Sequence, residues 1–236
     1  MIRLEKSEAL HRKIRQDDIE ELAISTWTLV RKAVKAGKID KALEFIDYGC
    51  FEAKQMHDIL VAFPDIALTH IADCCGEEEI IKVLRKRYCD RAKNFISTIK
   101  SPEETLQRLI EQQRAHFSEF TVIEEPDKYV VRTDPCGSGG RLRRIKQVGV
   151  TKKAYPWSWN KTGIPYYCCH CCVYFEILPI ELRGYPIRIH EITDKREDPC
   201  IHYYYKSPEV IPDEYFNRVG MVKMIEQLKQ KESLNC

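Results

Sequence analysis

The sequence has no surplus of either charge. Lys and Arg number 38 against 36 Asp and Glu, a formal net charge of +2. No charge-driven partner is implied, and a nucleic-acid binder usually carries a stronger basic excess. Long apolar runs are also missing, which excludes a hydrophobic span of bilayer length. The opening residues Met1-Ile2-Arg3-Leu4-Glu5-Lys6 carry charge at once and lack the apolar core of a secretory signal. The cytoplasm is therefore the expected compartment, with no membrane partner. Internal repeats and low-complexity tracts are absent. The helical half lacks the two Glu-x-x-His motifs that a di-iron bundle needs, so such a bundle is unsupported. The glycines meet neither the Walker nor the dinucleotide spacing.

What is present is an ordinary globular balance, 44% apolar and 31% charged over 236 residues. That length suits one large domain or two small ones. The periodicity changes midway. In the first half Ile19, Leu22, Ala23, Trp27, Val30 and Val34 recur at helical steps, and Gly37 suits a C-cap. Further helices are expected over about 39–61, from Pro64 to near Gly76, over 77–98, and after Ser101-Pro102-Glu103-Glu104, which reads as a capping box. Trp27 is expected in the core. In the second half Thr121-Val122-Ile123 and Tyr129-Val130-Val131 flank a turn and predict a hairpin. Residues 186–192 and 200–205 alternate as strands, with a helix from Tyr166 to Leu182 before them and a terminal helix near Met221–Glu232. The expected fold is α+β: an N-terminal helical bundle over 1–118, then a small antiparallel-sheet domain over 119–236 with a cysteine-rich metal site.

Eleven cysteines are the compositional anomaly. In a chain this long, with an odd count and no export signal, reduced thiols or metal ligands are expected rather than disulfides. Six lie in three segments of the second half: Pro135-Cys136-Gly137, Cys168-Cys169-His170-Cys171-Cys172 and Pro199-Cys200. The middle segment holds two overlapping C-x-x-C spacings, either of which aims two thiolates at one ion from a tight turn. Zinc then needs further ligands, for which Cys136 and Cys200 are candidates and His170 a substitute. An iron–sulfur cluster fits less well, because the spacing matches no common ferredoxin. The bland alternative is that these thiols are buried small hydrophobes.

Other residues carry functional readings beside structural ones. Gly137-Ser138-Gly139-Gly140-Arg141 reads as a flexible loop whose Arg141 holds a carboxylate, or as a turn before a solvated basic strand. Trp157 and Trp159 wall a ligand pocket or pack as a lid. His202 shares a strand face with Cys200 and Tyr204 and is a candidate base, ligand or structural histidine. Glu176 could orient a ligand or serve as an acid/base, and reads more simply as a surface carboxylate.

From Tyr166 to Lys206 the cysteine-bearing helix leads to Gly184-Tyr185-Pro186, a strand, Asp198-Pro199-Cys200 and an aromatic strand. This stretch resembles the C-terminal part of the 4-vinyl reductase-like ligand-binding domains and of aminothiazoline carboxylate hydrolase-like proteins. Tyr167-Cys168-Cys169-His170-Cys171 is similar to an element of uncharacterised bacterial relatives, which favours Cys168 and Cys171 over the other pair. The resemblance implies a small-molecule pocket more than a reaction.

Two expectations follow. In the first, Cys136, Cys168, Cys171 and Cys200 supply a zinc site in an enzyme, a hydrolase or lyase for a small carboxylate-containing metabolite. There His170 and His202 move protons, Arg141 holds the carboxylate, and Trp157, Trp159 and Tyr204 line the pocket. In the second, the zinc is structural and the chain is a small-molecule-binding or sensory module. The partner expected beside the small-molecule ligand is a second copy of the chain, in a homodimer.

Overall fold

The computed structural model describes residues 3–193 and 195–223. It is an α+β fold of two compact units, Met1–Met56 and His57–Cys236. The expected boundary at 118/119 falls inside the second unit, where the later helices share a core with the sheet.

The first unit opens with a hairpin absent from the expected elements, β1 (Arg3–Ser7) paired antiparallel with β2 (Arg12–Gln16). Its strands are mostly charged, so no apolar alternation announces them. Helix α1 spans Thr26–Lys35 and starts later than the periodicity predicts. The reason is local: Ser25 caps it by accepting from the Thr28 amide. Leu29, Ala33, Ala42 and Phe45 form a small core. Trp27 stays 49% exposed instead of joining it. Helix α2 (Ile39–Cys75) begins in this unit and continues into the next.

In the second unit Pro64 lies inside α2 instead of starting a new helix. A proline there leaves the carbonyl four residues back without its donor. That residue, Leu60, is on an exposed turn. Helices α3 (Glu78–Thr98) and α4 (Pro102–Ala115) follow, and Ser101 caps α4 as expected by accepting from the Glu104 amide at 3.1 Å. Ile80, Leu84, Leu106, Leu109 and Ile110 turn inward. Each such burial stabilises by roughly 1.5–3 kcal/mol.

Strands β3 (Phe120–Glu124), β4 (Lys128–Thr133), β5 (Ile189–Glu191) and β6 (Cys200–Tyr205) make one antiparallel sheet of order β3-β4-β6-β5. Its register sets Thr133 opposite Cys200, Val131 opposite His202, and His190 opposite His202. The period of two buries Cys200, His202 and Tyr204 on one face of β6. Strand β5 is shorter than expected.

The glycine segment is a correction. It opens helix α5 (Gly139–Ile145), with Arg141 and Arg143 buried, instead of a loop and a solvated strand. Helix α6 (Cys169–Cys172) runs into a π-helical stretch, Val173–Ile177, and then α7 (Leu178–Arg183). A short helix α8 (Glu214–Asn217) closes the described chain. The helix expected near Met221–Glu232 lies almost wholly outside the described residues. No helix among the described residues is long and apolar enough to cross a membrane.

Candidate functional site

Proline and glycine decide where the cysteines face. A side chain at Gly137 would collide with the His116 carbonyl, its Cβ only 2.0 Å away, and one at Gly139 would meet the Cys168 sulfur at 2.6 Å. Only hydrogen fits there, so the start of α5 lies directly against the cysteine segment. Pro179 has no amide hydrogen to give the Phe175 carbonyl. That carbonyl instead accepts from the Ile187 amide at 2.9 Å. This bond fixes the chain entering β5 and lays the Arg188 guanidinium 3.7 Å over the Phe175 ring.

These constraints enclose a cavity of about 350 Å3. Cys136, Cys168, Cys171 and Cys200 all line it, as do His170 and His202. Three segments far apart in sequence thus converge on one space. Cys169 and Cys172 face elsewhere, their thiols directed at the carbonyls of Pro165 and Pro156. Tyr88, Tyr167, Tyr174 and Phe175 form aromatic walls, and no Asp or Glu appears among the lining residues.

Burial holds the cavity thiols in the protonated form. It raises Cys171 to about 11 and Cys200 to about 12, and pushes Cys168 well above its ordinary value. For Cys168 the neighbouring thiols of Cys200, Cys171 and Cys136 add to the effect, so the four lie within electrostatic reach of one another. Among the described residues no three Cys, His, Asp or Glu side chains are gathered closely enough to hold an ion, and all described cysteines are free.

His170 stacks on Tyr88 and meets the Tyr167 ring at a tilt of 51°. Its Nδ1 meets the Tyr167 carbonyl, which can only accept, so Nδ1 carries the hydrogen. Burial lowers the ring to about 4. Nε2 is therefore a bare acceptor, 3.5 Å from the Cys171 sulfur. Arg188 Nη2 also approaches that sulfur, at 3.8 Å.

Several expected site residues are placed elsewhere. Arg141 does not line the cavity; it gives its Nε to Asp58 at 3.0 Å and further hydrogens to the carbonyls of Phe117 and His116. Trp157 and Trp159 are core residues, 5% and 3% exposed. The Trp159 indole donates to Glu176 at 2.8 Å. Tyr204 lines a neighbouring cavity of about 190 Å3, which it shares with Arg188. Glu176, read from sequence as a surface residue, is completely buried and held by Arg218 at 3.0 Å.

The residue that sequence reasoning missed is Arg188. It is 3% exposed and lines the cavity. Its Nε donates to His190 Nε2 at 2.9 Å, and His190 Nδ1 in turn lies 3.2 Å from Glu176. A signal was present: the alternating strand over 186–192 puts Arg188 and His190 on the same face. No protein-family model, curated protein or solved structure matches this chain.

Proposed function

We propose that this chain is a metal-dependent enzyme that binds zinc through the cavity thiols and acts on a small carboxylate-containing metabolite, by hydrolysis or a lyase step. The observation that carries the reading is the convergence of Cys136, Cys168, Cys171 and Cys200 on one cavity beside His170 and His202. Soft thiolates select zinc over hard cations, and imidazole suits it as well. Capture of the ion requires the thiol side chains to turn inward and lose their protons, so uptake is coupled to proton release. Bound zinc would supply Lewis acidity and a water of lowered pKa. The chain's own contributions are separate. His170 takes a proton at Nε2, the aromatic walls exclude solvent, and a buried cation orients the substrate anion. The free thiols favour a reducing compartment, and the cytoplasm belongs to the same proposal.

A second reading is a small-molecule-binding or sensory module with a closed four-thiolate zinc. The absence of carboxylates from the cavity lining favours it, since no acidic side chain is at hand as a general base. Elemental analysis with X-ray absorption on protein purified under reducing conditions separates the two. About one zinc per chain, with mixed sulfur and lighter ligands, is expected for the enzyme. Four sulfurs would favour the module. Protein without metal, or Cys136→Ser and Cys200→Ser variants with unchanged metal content, would overturn the shared site.

A further inference from the structure

Among the described residues, the buried side-chain atoms that lack a hydrogen-bond partner include Arg188 Nη1, His202 Nδ1 and the Tyr204 hydroxyl; Arg188 lines both cavities, His202 the larger and Tyr204 the smaller. Native proteins leave few such groups, and each needs a cause. The Tyr204 hydroxyl lies near enough to the guanidinium to interact with it, but the contact does not make a well-formed hydrogen bond for either group. Arg188 has no carboxylate within ion-pair distance among the described residues; its neighbours include His190, His202, the thiols of Cys171 and Cys136, the Tyr204 phenol and the Phe175 face. An unpaired cation this deep is strongly unfavourable unless an anion shares the space.

The surroundings are built to hold it there. Glu176 and Arg218 compensate each other, Glu176 fixes His190 through Nδ1, and His190 Nε2 fixes Arg188 Nε. That spends one edge of the guanidinium and leaves Nη1 without a protein partner. Arg91, exposed and set against the Tyr174 ring, is the second cation lining the cavity.

We infer that Arg188 is the anion anchor of this cavity, and that its ligand is a small monocarboxylate with an apolar or aromatic body. A planar carboxylate matches the planar guanidinium fork, and His202, whose Nδ1 has no hydrogen-bond partner among the described residues, lines the same cavity. A single buried cation balances one negative charge, which argues against phosphate. Tyr88, Tyr167, Tyr174 and Phe175 suit the ligand body. The inference rests on the cavity being the ligand site, as proposed above, but not on the metal.

The test uses the full chain as purified and three probes: benzoate, its neutral isostere benzamide, and inorganic phosphate. Calorimetric titration is expected to give benzoate the tighter binding by about ten-fold or more, the worth of one charge-assisted hydrogen bond. Arg188→Met should remove that preference. Equal binding of benzoate and benzamide, phosphate matching benzoate, or a preference that survives Arg188→Met would each overturn the inference. Should Arg188→Met fail to fold, photolabelling of the unmodified chain with 4-azidobenzoate decides. Benzoate-protected label on the segments carrying Tyr88 or Tyr167–Phe175 supports the anchor, and label elsewhere or none overturns it. Benzoate binding by zinc-free protein would reject the metal and leave the anchor standing.

Discussion

Two buried polar regions meet at His190. On one side Glu176 accepts from Trp159, from the His190 amide and from Arg218, which also donates to the His190 carbonyl. On the other side Arg188, His202 and Tyr204 each keep an unsatisfied polar atom next to a cavity. Both regions take charged groups out of water, and the price of desolvation is similar. The first recovers most of it within the protein through the Glu176–Arg218 ion pair, with Arg218 Nε alone in that network left without a partner among the described residues. A closed network rigidifies a core, whereas an open one marks a place where something else completes the bonding. Arg141 belongs to the closed kind, with Asp58 as its counter-ion. Arg188 belongs to the open kind, although the two arginines are chemically the same.

The comparison breaks most visibly at Glu176. Glu176→Ala leaves Arg218 without its main partner and orphans the Trp159 indole, and should cost about 3–5 kcal/mol of stability. Urea denaturation at pH 7 measures it. A loss near zero would mean the closed network does not hold the core.

Acid gives an intermediate effect. Burial lowers His116 to about 4 and His190 well below its ordinary value. The unfolded chain takes up these protons near pH 6.5, while the folded chain resists them. Between those values the unfolded state binds more protons, so stability rises with pH. It should be fully present above about pH 6.5 and decline as the pH falls toward 4. Glu176, raised by burial, opposes this near its own range. Melting temperature against pH measures the trend, and a flat profile from pH 7 to 4.5 would count against neutral buried histidines.

The smallest effect on stability is expected at Arg188. Arg188→Met removes an uncompensated buried cation but also its bond to His190 and its cover over the Phe175 ring; the two effects oppose each other, so stability should hold or rise, by about 1 kcal/mol at most. The same denaturation series reads it beside Glu176→Ala. Matching losses in the two variants would erase the distinction between closed and open networks.

Local signals were readable where chemistry is local. The Ser101 cap, the 120–133 hairpin and the aromatic strand 200–205 follow from neighbouring residues and appear close to where the sequence puts them. Pro64 misled because a proline inside a long helix is tolerated where its orphaned carbonyl lies on an exposed turn. The β1–β2 hairpin left no apolar trace. Glu176 looked like a surface residue because nothing nearby in sequence announces Arg218, 42 positions on.

The sequence alone determined the class of fold, the clustering of thiols in three proline- and glycine-flanked segments, and the alternation that buries Cys200 and His202. Those are consequences of backbone period and of which residues lack a side chain or an amide hydrogen. Tertiary structure alone decided which arginine is neutralised and which is left facing a cavity. Ion pairing depends on where a counter-ion from a distant segment arrives. Arg141 meets Asp58 across 83 positions of chain, and Arg188 meets no carboxylate among the described residues.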